Sequence, residues 1–227
     1  MNPITPSDDS FAETLQRRLG TRADSPHELD AERSAAARAA ARVADRATAE
    51  GLADVSYASV DSPFGTLLAV ATQQGLVRLA FPEEGVDPVL ERLSQRLSPR
   101  IVESSRPLDP LRRELDDYFK GARRSFDLAL DWSLIGPFAR RVLGVTSEIP
   151  YGNVLTYTEV AAEAGSPRGS RAAGNALGSN PIPIVIPCHR VLRSGGGLGG
   201  YAGGLERKRW LLDLETGTGV LVIQPPI

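Results

Sequence analysis

The chain is short of the groups that usually carry chemistry. It has a single cysteine, Cys188, and two histidines, His27 and His189. One cysteine excludes an internal disulfide and a thiol-rich metal site within the chain. No stretch approaches the roughly 18 consecutive apolar residues of a membrane span, and no charged start followed by a long apolar run marks a signal peptide. A reducing cytoplasm is the expected compartment. Excess charge is lacking too. The formal net charge is -2, which by itself argues against a strongly basic nucleic-acid binder. That total hides a gradient: residues 1–54 carry 7 Lys/Arg against 10 Asp/Glu, 55–132 carry 10 against 12, and 133–227 carry 9 against 6. A DNA partner is therefore to be sought at the C-terminal end.

What is present suits a folded protein. With 227 residues and 41% hydrophobic content, the chain can build one large domain or two small ones. Residues 1–54 read as a leader. Met1 to Ser10 is polar and expected to be disordered, Phe11 to Leu19 could form a short helix, and from Pro26 an alanine-rich helical run ends at Gly51. Residues 55–132 read as a small α/β unit. Val55 to Val60 suggests an edge strand. Thr66 to Ala71 and Leu76 to Phe81 flank Gln73-Gln74-Gly75 as a hairpin. Helical faces run over Asp87 to Leu97 and Leu108 to Phe119, and Ser125 to Leu130 alternates like a further strand. This unit contains no histidine and shows no chemistry of its own.

Residues 133–227 are more specific. Gly136-Pro137 opens a helix reaching about Glu148. Thr156 and Glu159 are spaced as a capping box before Val160. A turn at Gly165 to Arg168 separates that helix from a second over Gly169 to Leu177, in the manner of a helix-turn-helix. The second helix offers one long polar side chain, Arg171, among small residues. Close packing between helices would explain it equally well. In Asn180 to Arg190, three prolines forbid a central strand and favour a stiff, extended chain ending at Cys188. A lone cysteine is most often an inert core residue. Here His189 follows it, though neighbouring side chains on extended backbone diverge, so a contact through water is expected. Arg190 adds positive charge favouring the thiolate.

Pro187-Cys188-His189-Arg190-Val191 resembles the active-site signature of the O6-alkylguanine-DNA alkyltransferases, also called methylated-DNA–protein-cysteine methyltransferases. Tyr151-Gly152, Thr156-Tyr157, Arg171 to Gly174, Asn180-Pro181, Gly199 to Gly204 and Trp210 to Leu212 follow the family's order and spacing. The resemblance is strong over about 134–216, weaker over 55–132, and does not reach 1–54. It implies an N-terminal ribonuclease-H-like α/β domain and a mainly helical, winged-helix-like C-terminal domain with a helix-turn-helix. It also implies repair of O6-alkylguanine, with O4-alkylthymine a further candidate, by irreversible transfer of the alkyl group to Cys188.

By the same resemblance His189 is the water-mediated base, Glu215 its orienting partner, and Asn180 the holder of the turn around the thiol. Tyr157, Arg171, Ala172, Gly174 and Arg190 would face DNA. Tyr157 acts on the phosphate of the target nucleotide, and Arg171 enters the base stack in place of the flipped base. Tyr201, Val191, Ala202 and Pro183 would line the guanine pocket. Ala202 stands where some relatives carry serine, which implies an altered substrate range. No cofactor and no metal are expected, and the cysteines of some relatives' zinc site are missing. The implied partner is double-stranded DNA, engaged by a monomer that could bind cooperatively, with the protein located on the nucleoid. The competing readings are a lesion-binding protein without transfer, a cysteine hydrolase built on Cys188, His189 and Glu215, and a plain transcription regulator. Cys188 opposes the first, Cys-His adjacency the second, and the proline-rich segment the third.

Overall fold

A computed structural model describes residues 26–217. The expected helix over Phe11 to Leu19 lies outside the described residues. The chain divides into two compact units, residues 1–42 and 43–227. The division falls within helix α1 (Pro26–Ala49). From residue 33 to 42 that helix is exposed, as its alanine-rich composition leads one to expect. Its last turns belong to the second unit, where the Ser104 hydroxyl donates to Asp45 (2.6 Å) and Thr48 meets Ser56 (3.2 Å).

The second unit begins with a four-stranded sheet in the order β3-β2-β1-β4, comprising β1 (Val55–Val60), β2 (Leu67–Thr72), β3 (Gly75–Ala80) and β4 (Ile101–Glu103). β1 and β2 are antiparallel and β2 and β3 form the expected hairpin, while β4 joins β1 in parallel. β1 is therefore an inner strand, not an edge. The three-residue β4 that covers it is too short to announce itself by alternation. β2 reads Leu-Leu-Ala-Val-Ala-Thr because both its faces are buried, so it runs apolar without alternating. One face packs Val89 and Leu93 of α2 (Val86–Arg96) against Leu68, Val70 and Val77. The other joins α3 (Asp109–Phe119) and the C-terminal helices in a single core.

Ser125 to Leu130 is not a strand. It contributes one isolated bridge, Leu130 to Leu76, and otherwise lies as a strap with Phe126 and Leu128 against the core. Alternation there reports one-sided burial without ladder pairing.

The remaining chain is mainly helical: α4 (Pro137–Ser147), α5 (Tyr157–Glu163), α6 (Ser170–Gly178) and α7 (Leu205–Thr216). A two-residue parallel pair, β5 (Leu155–Thr156) with β6 (Val191–Leu192), ties the helix-turn-helix to the segment after Cys188. The capping box forms as spaced. Thr156 Oγ1 accepts from the Glu159 amide (3.2 Å), and the Glu159 carboxylate accepts from the Thr156 amide (2.6 Å). α6 buries Ala173, Ala176 and Leu177 and exposes Ser170, Arg171, Ala172 and Asn175. The small residues thus serve both ideas raised by the sequence: close helix packing on one side, and a low profile towards solvent on the other.

Candidate active site

The proline-rich segment is not an extended rod. Residues 180–190 are buried throughout and coil tightly. The Ile186 amide donates to the Ile182 carbonyl (2.9 Å), the Val185 amide to Pro183 (2.9 Å) and the Cys188 amide to Ile186 (2.8 Å). Ile184 adopts φ +73°, the one non-glycine residue with positive φ among the described residues. For a β-branched residue that conformation costs on the order of 1–3 kcal/mol, and complete burial holds it in place. Prolines that fix φ stiffen a turn as readily as a strand, so the expectation of rigidity stands while that of extension does not.

Asn180 is the pin of this turn. Its Nδ2 donates to the Ile186 carbonyl (2.9 Å) and to Cys188 Sγ (3.1 Å), and its Oδ1 accepts from the Ile182 amide (3.0 Å). Cys188 opens a helical turn over 188–190 and is 4% exposed. Burial pushes its thiol up to about 11, against the opposing pull of the Asn180 hydrogen bond and the Lys208 charge. The resting group is therefore the thiol, and the Arg190 charge expected to favour the thiolate is not among the groups that lower its pKa.

Arg190 faces elsewhere. It is buried, its Nε and Nη2 each lie 2.8 Å from a Glu215 oxygen, and its Nη1 donates to the Ile149 carbonyl (2.5 Å). Its assignment to DNA is corrected on this geometry. All three nitrogens are engaged inside the protein, where the fork orients Glu215.

Glu215 gathers five donors. Oε1 accepts from His189 Nε2 (2.8 Å), Arg190 Nη2 and the Tyr118 hydroxyl (2.6 Å), and Oε2 from Arg190 Nε and the Gly152 amide (3.2 Å). Burial raises its pKa, but the hydrogen bonds from His189, Arg190 and Tyr118 overcome this and hold it at about 2. His189 is completely buried. Desolvation lowers its pKa despite the Glu215 contact, so the imidazole is neutral at pH 7. With Nε2 committed to Glu215, Nδ1 is the free ring nitrogen, buried and without a described protein partner. A neutral imidazole oriented by a carboxylate is a competent base.

A cavity of about 510 Å³ reaches Cys188. Tyr157, Arg171, Gly174, Arg193, Tyr201 and Ala202 line it. Pro183 and Val191 do not. Pro183 is buried in the turn, and Val191, also buried, turns its carbonyl to Lys208 Nζ (2.5 Å). Ala172 is exposed on α6 outside the cavity. A second cavity of about 520 Å³, lined by Val145, Glu148, Ile149, Asn153, Leu155 and Glu163 among others, contains no thiol or hydroxyl side chain.

Tyr157 spans the first cavity's mouth, exchanging hydrogen bonds with the Gly200 amide (3.2 Å) and carbonyl (3.3 Å). Gly199 has φ +70°, and a Cβ there would lie 2.6 Å from the Tyr157 oxygen, so only glycine fits. Arg171 is exposed and forms no hydrogen bond or ion pair with a described residue, free to act outward.

Two groups escaped sequence reasoning. Lys208 is fully buried, its pKa lowered by that burial to about 8, and its Nζ also reaches the Gly200 carbonyl (3.3 Å). Tyr118 belongs to the domain that shows no chemistry. The only available signal for Lys208 was a charged residue on the face of α7 that carries Leu211 and Glu215.

A lone thiol lining a cavity beside a helix-turn-helix is the outline of a DNA-directed protein whose cysteine can accept a group. The relatives narrow this. The chain is 40% identical over 162 residues to the methylated-DNA–protein-cysteine methyltransferase of Mycolicibacterium paratuberculosis, covering 71% of this chain and 92% of that one. It is 38% identical to its namesake in Methanosarcina barkeri, covering 70% and 96%. Among solved structures, Mycobacterium tuberculosis OGT in complex with DNA superposes with a TM-score of 0.60 at 34% identity, covering 71% of this chain and 93% of that one. The same organism's O6-methylguanine methyltransferase gives 0.62 at 34% identity, covering 76% and 95%. Residues 55–132 match the ribonuclease-like domain and residues 137–217 the DNA binding domain of 6-O-methylguanine DNA methyltransferase. The chain belongs to that family.

Proposed function

We propose that this chain repairs double-stranded DNA by taking the alkyl group of O6-alkylguanine onto Cys188, once per molecule. The observation that carries the proposal is the placement of the chain's only thiol in the lining of the cavity flanked by α6, next in sequence to the His189 that pairs with Glu215. A base inside a duplex cannot reach a thiol so deeply set, so the lesion is flipped into the cavity. Arg171, at the cavity rim, enters the stack in its place, and the low profile of α6, including Ala172 and Gly174, lets the groove wall come close. Tyr157 acts on the phosphate of the flipped nucleotide, and Tyr201 and Ala202 bound the guanine.

The chemistry follows from the site's protonation states. With a thiol at about 11, roughly one molecule in ten thousand carries thiolate at pH 7, so a base must act. His189 takes the thiol proton through a water, and Glu215 stabilises the resulting imidazolium. Sulfur attacks the alkyl carbon, the S–C bond forms, and the C–O6 bond breaks with its electron pair leaving on guanine. The proton removed from sulfur balances the charge on guanine, which returns to its ordinary neutral form. The product is a thioether, and no step regenerates the thiol.

The division of labour in this proposal is a leader (1–54), a supporting domain (55–132) and an alkyltransferase domain (133–227), with one chain acting on one lesion. The test is intact mass after incubation with a duplex carrying one O6-methylguanine. One methyl gained per chain, on the peptide containing Cys188, is expected. Binding without mass gain would make the protein a lesion binder, and repeated turnover by unmodified protein would make it a hydrolase.

A further inference from the structure

We infer that Tyr118 is a positioning residue for alkyl transfer: its phenol, reaching from the ribonuclease-like domain, fixes the Glu215 carboxylate that aligns His189. The inference rests on the reading of His189 as the base.

Tyr118 lies near the end of α3 and has no exposed surface. Its ring packs against Phe119 (5.5 Å), Phe126 (5.2 Å) and Tyr151 (6.0 Å). Phenylalanine would satisfy every one of those ring contacts. Burying a hydroxyl costs free energy unless it is hydrogen-bonded, so packing alone gives no reason for the oxygen. That oxygen donates to Glu215 Oε1 at 2.6 Å, the same atom that receives His189 Nε2.

Tyr118 adds a restraint from a different direction to those the other donors supply. Arg190 grips both carboxylate oxygens as a fork, and the Gly152 amide reaches Oε2. Both come from the C-terminal domain. Tyr118 is the one donor from across the domain boundary, and it fixes Oε1 from that side. Burial, reinforced by the neighbouring Glu215 charge, holds the phenol far above its ordinary range, so it donates at every accessible pH. The groups that face His189 are Glu215, Arg190, Lys208 and Tyr201. Tyr118 therefore acts on the imidazole through Glu215.

The experiment compares single-turnover transfer from free O6-benzylguanine, which needs no flipping, for wild type, Tyr118→Phe and Glu215→Gln across pH. Tyr118→Phe is expected to slow transfer about fivefold near pH 7, with the deficit closing as alkali supplies thiolate directly. Its His189 Nε2–H resonance should shift and exchange faster with water, a signal easily assigned in a chain with two histidines. A rate and resonance equal to wild type, with Glu215→Gln slow, would overturn the Tyr118 inference alone. A deficit constant at every pH would also overturn it, leaving a packing role. If Glu215→Gln itself matches wild type, the base reading fails and the inference falls with it. Should Tyr118→Phe not fold, wild-type protein decides. A slowly exchanging phenolic proton close to the His189 Nε2–H proton supports the inference, and its absence overturns it.

Discussion

The two domains of the second unit differ in how they serve the site. In the proposed mechanism the helical domain supplies the nucleophile Cys188, the base His189 and its partner Glu215, and it also carries Tyr157 and the exposed Arg171 on the cavity lining. The ribonuclease-like domain reaches the same site from behind. The Leu79 amide (2.9 Å) and Arg78 Nη1 (3.1 Å) both donate to the Pro181 carbonyl, next to the Asn180 that pins Cys188. Glu83 pairs with Arg207 of α7, whose guanidinium lies over Phe81, and Phe81 meets Tyr201 edge-on at 6.2 Å. Tyr118 meets Glu215. This domain thus touches the turn that holds Cys188, the Glu215 carboxylate and the Tyr201 wall of the cavity. Chemistry and geometry come from different parts of the chain.

The sharpest way to break this comparison is to remove the nucleophile. Cys188→Ala should abolish transfer while leaving affinity for lesion DNA within a few-fold, because Tyr157, Arg171 and Tyr201 are untouched. A mutant that still gains alkyl mass would take the chemistry away from Cys188.

Glu215→Gln comes next. Transfer at pH 7 should fall at least roughly tenfold, about 1.4 kcal/mol of barrier, with the loss shrinking as pH rises. Stability supplies a second readout. Glu215 titrates at about 2 in the folded protein against an ordinary 4.5. A depressed carboxyl contributes stability that is full above its unfolded pKa and is lost as pH falls through the folded value. Wild type should therefore lose stability steeply between about pH 4.5 and 2, and Glu215→Gln should lack that component in acid-unfolding curves. Equal curves would remove the carboxylate from its hydrogen-bonded role.

What could be seen beforehand divides along the same line as the domains. The capping box at Thr156 was legible from its spacing, whereas Cys188, His189, Asn180 and Glu215 were singled out through the family resemblance of the segments that carry them. The hairpin was legible from its turn and apolar runs, and α2 and α3 from their periodicity, whereas α7 was not foreseen. Nor were Tyr118, Lys208 and the inward turn of Arg190. Each depends on a contact with a residue distant in sequence, and Tyr118 and Glu215 are 97 positions apart. The strand expected over Ser125 to Leu130 failed for a related reason. Alternation reports which side is buried, and pairing depends on a neighbour that no local pattern names. The raised thiol pKa was equally hidden, since burial is a property of the assembled core.

Smaller effects sharpen the outer boundary. Arg171→Ala should slow repair of a duplex lesion by about tenfold and leave reaction with free O6-benzylguanine nearly unchanged, since the free base needs no replacement in a stack. Equal slowing on both substrates would remove the flipping role. Deleting residues 1–42 should alter either rate by less than about threefold, because every group placed in the site lies in the second unit. A large loss in a folded truncation would give the leader a function.

Gly203 carries a consequence for how such chains diverge. A Cβ at that position would come within 2.6 Å of the Phe81 ring and 2.8 Å of Tyr201. The pocket wall and the neighbouring domain are therefore interlocked at a point with no room for even one extra carbon. Recombination that exchanged one domain for a relative's would have to bring an aromatic ring of matching size and tilt to meet that glycine. Chimaeras joined near residue 133 should thus fail more often than the clean boundary between the two domains suggests, and successful ones should inherit Phe81 and Gly203 as a pair.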